Sequence, residues 1–254
     1  MGSTALPSRT PRVVTYLIWL VAVLLAVGEP GAKGPAMATS EVLGVHAGTG
    51  NQGLQGKVYV ALGDSISAGR FATAQDGTFP ALVADKLGMT LTLIARSGAK
   101  AAWALPQLGA VEGAHPALVT IELGTNDAGF NTPLDTFAAQ YEAIVGSLSS
   151  PQTRVLCIGS WLPSTAIDAI FVRTCERHGA TYVTLEGFYA VNDFHAVDGG
   201  SSFLGRSDWF HPGDQGHAAI AAAVLSALGA GPAPVVGPLP SVSRIPDVIR
   251  THPQ

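Results

Sequence analysis

The sequence predicts an α/β protein in which a parallel β-sheet is covered by helices on both faces. From Lys57 onward, short apolar runs rich in β-branched residues alternate with stretches of helical periodicity. This alternation favours right-handed crossovers between parallel strands. The chain has 254 residues, of which 47% are hydrophobic, so it can bury one sizeable core. We therefore expect a single α/β domain, with other kinds of segment at its two ends.

Five strands are expected, and each ends in glycine or polar residues. The first is the run Val-Tyr-Val-Ala-Leu-Gly, which begins at Val58 and stops at Gly63. Apolar runs of this length, bounded by turn residues, are typical of strands buried in a parallel sheet. The remaining four are predicted at residues 90–94, 117–123, 154–158 and 181–185.

The clearest helix follows the third strand. Its apolar residues recur at helical spacing and form one stripe, which consists of Leu134, Phe137, Ala138, Tyr141, Ile144, Val145 and Leu148. Thr132 and Asp135 resemble a capping box at its start, and Pro133 suits the first helical position. Further helices are predicted at residues 79–87, 101–108, 165–178 and 217–228, with Gly179 as the stop of the third of these.

The N-terminal region has the pattern of a targeting segment. Arg9 and Arg12 precede an unbroken apolar run at residues 13–27. This run is shorter than the roughly 20 residues of a membrane-spanning helix and suits the core of a signal peptide. We predict that residues 1–38 are either a cleaved signal peptide or an uncleaved anchor, which associates with the membrane through residues 13–27. Both alternatives place the domain outside the cytoplasm.

The segments on either side of the predicted domain, which covers residues 56–229, are rich in glycine or proline. Residues 39–55 form a predicted glycine-rich linker that contains a G-x-G-x-x-G pattern at positions 48–53. That pattern binds dinucleotides only between a strand and a helix, and here it precedes the first strand. Residues 230–254 are proline-rich and are predicted to be a disordered tail.

Charge and cysteine content exclude several classes of function. Charged residues make up 13% of the chain and the net charge is -4, which leaves no basic footprint for nucleic acid. Export would permit a disulfide between Cys157 and Cys175. A strand and the helix packed on it lie about 10 Å apart, however, and a disulfide needs alpha carbons within about 7 Å. We therefore expect two buried free thiols, and no spacing of Cys, His and carboxylates indicates a metal site or another cofactor.

Polar residues at the strand ends supply the parts of a serine hydrolase. Such an enzyme needs a nucleophile, a neutral imidazole as base, a carboxylate to orient it, and donors for the oxyanion. The predicted catalytic triad is Ser65, Asp208 and His211. The backbone N–H groups of Ser65 and Gly98, with the side-chain amide of Asn126, form the predicted oxyanion hole.

Structural alternatives exist for each of these residues. Ser65 could cap a helix, and Asn126 could be a turn residue. Asp214 and His217 repeat the Asp-x-x-His spacing and are the main rival pair. We interpret Asp214 as the cap of the last helix and His217 as a residue of its first turn. His195, one of the other histidines, has no evident partner in the sequence.

Four short blocks of the sequence resemble those of the SGNH (GDSL) hydrolase family. They are Gly63-Asp64-Ser65-Ile66, Gly98, Gly124-Thr125-Asn126-Asp127 and Asp208-x-x-His211-Pro212, in family order. The four residues of the family name fall on Ser65, Gly98, Asn126 and His211. The chain departs from the usual pattern at Ile66, where leucine is commonest, and in lacking an asparagine shortly before Gly98.

The resemblance implies a fold and a reaction. The fold is a three-layer α/β/α arrangement, flavodoxin-like, with a doubly wound five-stranded parallel sheet. The reaction is hydrolysis of carboxylic esters or thioesters through an acyl-enzyme on Ser65, with Asp208 completing the triad.

We therefore predict an exported esterase that acts on a small-molecule, lipid or carbohydrate ester. Two other functions stay open at this stage: an enzyme that moves acetyl groups on or off extracellular polysaccharide, and a catalytically silent binding module. Several aromatic residues either wall an acyl pocket or belong to the core, namely Trp103, Phe130, Trp161, Trp209 and Phe210.

Overall fold

The structure is a computed structural model and describes residues 53–234. Five main strands and a small hairpin are present, with these bounds: β1 Val58–Gly63, β2 Thr90–Ala95, β3 Leu118–Glu122, β4 Arg154–Ile158, β5 Thr181–Val183, β6 Ser201–Ser202 and β7 Gly205–Arg206. The α-helices are α1 Phe79–Leu87, α2 Ala101–Ala104, α3 Leu108–Gly113, α4 Thr125–Gly129, α5 Leu134–Leu148, α6 Thr165–Arg177 and α7 Asp214–Ala227. The five predicted strands are confirmed within two residues at each end.

The main sheet is parallel throughout, and its strands lie in the order β2-β1-β3-β4-β5. Gly63, the last residue of β1, pairs with Ala95 on one side and with Glu122 on the other. After β1 the chain first forms β2 on one side of that strand, and it then crosses over to form β3 on the other side. Doubly wound sheets bind their ligands in the crevice at such a reversal, beyond the carboxyl ends of the strands.

Two apolar clusters cover the two faces of this sheet. One packs α1 and α7 against Tyr59 and Ala61 of β1. The other packs α5 and α6 against Val60 and Leu62 of the same strand. Because neighbouring residues of one strand face opposite clusters, the sheet is the middle layer of a three-layer fold. The predicted fold class is confirmed.

Two predicted helix caps are wrong. Helix α5 begins at Leu134 with Pro133 as its N-cap, so Thr132 lies outside the capping position and its hydroxyl accepts instead from Lys100 Nζ. Helix α7 begins at Asp214, three residues earlier than predicted, and its N-cap is Gly213. The Asp214 carboxylate accepts hydrogen bonds from the backbone N–H and the hydroxyl of Thr73, both at 2.7 Å. These partners are distant in the sequence, so local spacing could not indicate them.

The prediction of two free thiols is also wrong, because Cys157 of β4 and Cys175 of α6 form a disulfide. Their alpha carbons are 6.5 Å apart. The estimate of about 10 Å applies to the axes of the two elements. An alpha carbon on the facing side of a helix lies about 2.3 Å nearer, and the pleat of the strand brings its own facing alpha carbon nearer still. The two cysteines are 18 positions apart in the sequence, and chain-entropy arguments give a cross-link of this span a stabilisation of about 3 kcal/mol.

The predicted terminal segments fall largely outside the described residues. This applies to the signal peptide or anchor at 1–38, to residues 39–52 of the linker and to residues 235–254 of the tail. Within residues 53–234, no helix is both long enough and apolar enough to cross a bilayer.

Candidate active site

The nucleophile turn, residues 63–67, begins where β1 ends between β2 and β3. A side chain at Gly63 would overlap the Ser67 hydroxyl and would lie 2.7 Å from the backbone oxygen of Glu122, so only glycine fits. Asp64 N–H donates to that same backbone oxygen at 3.1 Å. Residues 65–71 form successive turns, so Ser65 does not cap a helix. The turn is thus folded tightly against the end of β3.

The three residues of the predicted triad meet at this turn. Ser65 Oγ lies 2.9 Å from His211 Nε2, and His211 Nδ1 lies 2.8 Å from Asp208 Oδ1. The same carboxylate oxygen accepts the backbone N–H of His211 at 3.0 Å. This geometry lets the imidazole accept the serine proton while the carboxylate holds the opposite ring nitrogen as a donor.

The charge of Asp208 is maintained by its neighbours. Partial burial raises the pKa of the carboxyl, but the hydrogen bond from the His211 ring and the other interactions with His211 together outweigh this effect. Attraction to the imidazolium and the backbone N–H groups of His211 and Phe210 act in the same direction, so the pKa lies below its usual value. Asp208 is therefore ionised at neutral pH, as its predicted role requires.

The loop that carries Asp208 and His211 is held through its carbonyl groups. Trp161 Nε1 donates to the carbonyl of Phe210 at 2.7 Å. His195, buried beneath the loop, stacks on the Trp209 ring at 3.9 Å, and its Nδ1 lies 2.8 Å from the Trp209 carbonyl. A backbone bridge adds the hydrogen bond from Ala196 N–H to the carbonyl of His211. The packing thus holds Asp208 and His211, the two triad residues of this loop, in fixed positions.

His195 and Trp161 therefore have structural partners that the sequence did not reveal. The second ring nitrogen of His195 lies 2.7 Å from the carbonyl of Tyr189. Trp161 is fully buried and belongs to the core. Phe130 and Trp209, by contrast, are 63% and 43% exposed. Of the aromatic residues considered for an acyl pocket, these two have exposed side chains.

Two of the predicted oxyanion donors, Gly98 and Asn126, follow the carboxyl ends of β2 and β3. Gly98 has a φ of 74°, and an added side chain there would meet no atom within 4 Å, so its conformation and not crowding requires glycine. Among the described residues, no acceptor binds the backbone N–H of Gly98 or that of Ser65. Both groups are therefore free to donate to a substrate.

Asn126 is engaged within the protein. Its Nδ2 donates to Asp64 Oδ2 at 2.8 Å and to the carbonyl of Ala99 at 3.1 Å. The amide is thus held between the nucleophile turn and the loop at residues 96–100, here called the Gly98 loop. The longer of these two hydrogen bonds is the one that an incoming oxyanion can replace or share most easily.

The Gly98 loop is fastened to the end of β3 by neighbours of Asn126. Asp127 Oδ2 accepts the backbone N–H of Ala101 at 3.0 Å, at the start of α2. Lys100 Nζ donates to Thr132 Oγ1 at 3.2 Å and lies over the ring of Phe130. Gly98 and Asn126 are therefore held together although they lie far apart in the sequence.

His217 is not at the site. It is fully buried in α7, where Nδ1 accepts from Phe79 N–H at 3.3 Å and Nε2 donates to the carbonyl of Arg70 at 3.2 Å. Burial, the main cause, lowers the pKa of His217 to about 4. The structure thus brings His211, and not its rival, to the nucleophile.

The neutral state of His217 makes folding sensitive to acid. Between pH 6.5 and about pH 4 the unfolded chain binds a proton at this histidine that the folded chain does not, so stability falls as the pH falls. The expected loss over this window is roughly 3 kcal/mol. Urea unfolding of the wild type and of His217→Gln across this range measures it.

The comparison isolates the histidine, because other groups titrate equally in both proteins. The difference in free energy of unfolding between wild type and His217→Gln should shrink as the pH is lowered. A difference that stays constant from pH 7 to pH 4 would show that the folded protein accepts a proton at His217 as readily as the unfolded chain does.

Comparison with known proteins adds to this geometry. The family model of the GDSL-like lipase/acylhydrolase family matches residues 61–219, which include all the residues of the site. The chain belongs to this family. The resemblance seen in the sequence is therefore confirmed, and so is the enzyme class, a carboxylic ester hydrolase of the GDSL type. A comparison with curated protein sequences gave no match.

Solved structures of other proteins share the fold of this GDSL-type hydrolase, and two of the three described here are esterases. The psychrotrophic esterase EstA from Pseudoalteromonas sp. is 20% identical, with a TM-score of 0.55, over 68% of this chain and 96% of its own. TesA is 23% identical, with a TM-score of 0.53, over 68% of this chain and 98% of its own. A two-domain esterase active on acetylated mannans is 18% identical, with a TM-score of 0.53, over 69% of this chain and 49% of its own.

Proposed function

We propose that the protein is an exported esterase that hydrolyses carboxylic esters through an acyl-serine intermediate on Ser65. The observation that carries the proposal is the continuous line from Ser65 Oγ to His211 Nε2, at 2.9 Å, and from His211 Nδ1 to Asp208, at 2.8 Å. A hydroxyl is a weak nucleophile, and this line provides the base that activates it.

The reaction proceeds in two halves. In the first, His211 takes the proton of Ser65, whose oxygen attacks the acyl carbon, and the same proton then passes to the departing alcohol. In the second, His211 takes a proton from water, the hydroxide attacks the acyl-enzyme, and the proton returns to Ser65 as the acid leaves. Asp208 stays ionised throughout and stabilises the imidazolium in both halves.

The negative oxygen of each tetrahedral intermediate is held by Ser65, Gly98 and Asn126. The uncommitted backbone N–H groups of Ser65 and Gly98 support this assignment. Asn126 contributes the amide proton that otherwise donates to the carbonyl of Ala99. Donors that are already in place for the developing charge lower the barrier without reorganising during the reaction.

The enzyme acts outside the cytoplasm in this proposal. Two observations support export, the basic and apolar pattern of residues 1–38 and the disulfide between Cys157 and Cys175. Disulfides persist in oxidising compartments and are rare in the cytosol. The substrates are small-molecule, lipid or carbohydrate esters that are present there.

A fluorophosphonate probe tests the nucleophile, and p-nitrophenyl esters of increasing chain length test the substrate. We expect peptide mapping to locate the phosphonyl group on Ser65, and the ester series to give a maximum rate at one acyl length. Mass spectrometry with added polysaccharide separates hydrolysis from acyl transfer, because hydrolysis releases free acid. A protein that is not labelled at Ser65, although it is folded, would be the silent binding module instead.

A further inference from the structure

Two buried carboxyl groups, those of Asp64 and Glu122, lie at the nucleophile turn, and neither transfers a proton in the proposed reaction. Asp64 is fully buried, and Glu122 is 1% exposed. Glu122 Oε2 accepts the hydroxyl of Ser67 at 2.9 Å, the N–H of Ser67 at 3.1 Å and the N–H of Asp64 at 3.4 Å. Glu122 therefore binds the residues that immediately precede and closely follow Ser65.

The two carboxyl groups lie close enough to affect each other. Glu122 Oε2 is 3.4 Å from the backbone nitrogen of Asp64, both groups are buried, and this burial, with the charge of Asp64, raises the pKa of Glu122. Two ionised carboxylates side by side in the protein interior would repel each other, so we expect one of the pair to carry a proton.

The remaining partners identify which one. Asp64 Oδ1 accepts Ile66 N–H at 2.9 Å, and Oδ2 accepts the amide of Asn126 at 2.8 Å, so both of its oxygens are engaged by donors. Glu122 receives every donor on Oε2, while Oε1 is buried and meets no donor among the described residues. Oε1 is thus the oxygen that is free to hold the proton.

We propose that Glu122 is a positioning residue that stays protonated and donates to Asp64, which in turn orients the amide of Asn126 toward the oxyanion. The inference rests on the proposed function, because it assigns Glu122 a role in the same site. Glu122 touches no substrate. It acts by holding the nucleophile turn with Oε2 and by keeping the carboxyl pair at a single negative charge.

The electrostatics agree with this arrangement. Burial raises the pKa of Glu122 well above its usual value, and the negative charge of Asp64 adds to the effect. Burial also raises the pKa of Asp64 to about 6, which leaves it ionised at neutral pH. The other titratable groups that face the pair are Tyr141 on α5, whose pKa is raised by burial, and His211, which attracts the Asp64 charge.

The neutral state of Glu122 favours catalysis, because a buried charge on this residue would act at short range on the reacting groups. A second negative charge behind Ser65 would repel the oxyanion that forms on the substrate, and low-dielectric surroundings strengthen such repulsion. It would also repel Asp64, which holds Asn126. Activity is therefore expected to fall at alkaline pH as Glu122 loses its proton.

Two substitutions of Glu122 test the proposal. In Glu122→Gln the side-chain oxygen accepts from Ser67 and the amide N–H donates to Asp64, so shape and neutrality are kept. We expect this variant to retain most of the wild-type catalytic efficiency at neutral pH and to lose the alkaline decline. Glu122→Leu keeps neutrality without these hydrogen bonds, and its turnover should fall about 100-fold with little change in KM.

Infrared spectroscopy provides a readout that does not depend on catalysis. The carbonyl stretch of a buried carboxylic acid should be present in wild type at pH 8 and absent from Glu122→Gln. A band that persists in Glu122→Gln would place the proton on Asp64 and overturn the proposal. So would a large loss of activity in Glu122→Gln, or full activity in Glu122→Leu.

If Glu122→Leu does not fold, Glu122→Gln and the infrared band decide the question alone. Failure of the proposed function would appear differently. In that case Ser65→Ala would keep its activity, while the infrared band of Glu122 would be unaffected.

Discussion

Replacing Ser65 with alanine should slow the turnover of esters by about 10⁶-fold, the scale seen when the nucleophile of a serine hydrolase is removed. Ser65 is the hydroxyl within 2.9 Å of His211 Nε2, so the base would have no other oxygen to activate at this position. The side chain is small and makes one other contact, a 3.5 Å hydrogen bond to Asp64, so folding should be unaffected. Kinetics with a p-nitrophenyl ester measure the loss of turnover, and a fluorophosphonate probe measures the loss of the reactive hydroxyl.

Ser150→Ala is a matched control for this experiment. Ser150 is exposed and lies before β4, at the edge of the sheet opposite the site, so its loss should leave turnover unchanged. Residual activity in Ser65→Ala above about one hundredth of wild type would mean that another group attacks the ester.

Replacing Asn126 with alanine should cost about 3 kcal/mol of transition-state stabilisation, which slows turnover by about 100-fold or somewhat more. The variant removes a donor to the oxyanion and also the tie between Asp64 and the Gly98 loop. Both effects act mainly after the substrate has bound, so KM should change much less than the turnover rate. Steady-state kinetics on the ester that gives the highest rate separate the two parameters.

Gln152→Ala is the control for loss of a side-chain amide, because Gln152 is exposed near the start of β4. Thermal unfolding of Asn126→Ala shows whether its fold is intact. A folded Asn126→Ala protein with turnover within a few-fold of wild type would contradict the assignment of Asn126 to the oxyanion hole.

The sequence was sufficient for the fold because the relevant signals are local. Each strand is an apolar run ended by turn residues, and the helix at α5 shows its apolar face directly in the spacing of its side chains. The site residues could be predicted for a related reason. In a parallel sheet the strand ends converge at one edge, so Ser65, Gly98 and Asn126 were expected to be neighbours.

Other features depend on distances that no local pattern reveals. The disulfide was missed because the separation of β4 and α6 was judged from their axes and not from the facing side chains. The partner of Asp214 is Thr73, which lies 141 positions away. Glu122 looked like an ordinary residue at the end of a strand, and only its contacts with Ser67 and Asp64 show that it supports the nucleophile turn.

The loop from Asp208 to His211 has a practical consequence. Asp208 and His211 lie together on a short stretch just before the last helix, whereas the nucleophile lies just after the first strand. A cut at the exposed tip of the hairpin, between Phe203 and Leu204, would therefore give two pieces. Neither piece holds a complete set of reacting groups, so ester cleavage would report their reassembly, as in a split-enzyme sensor.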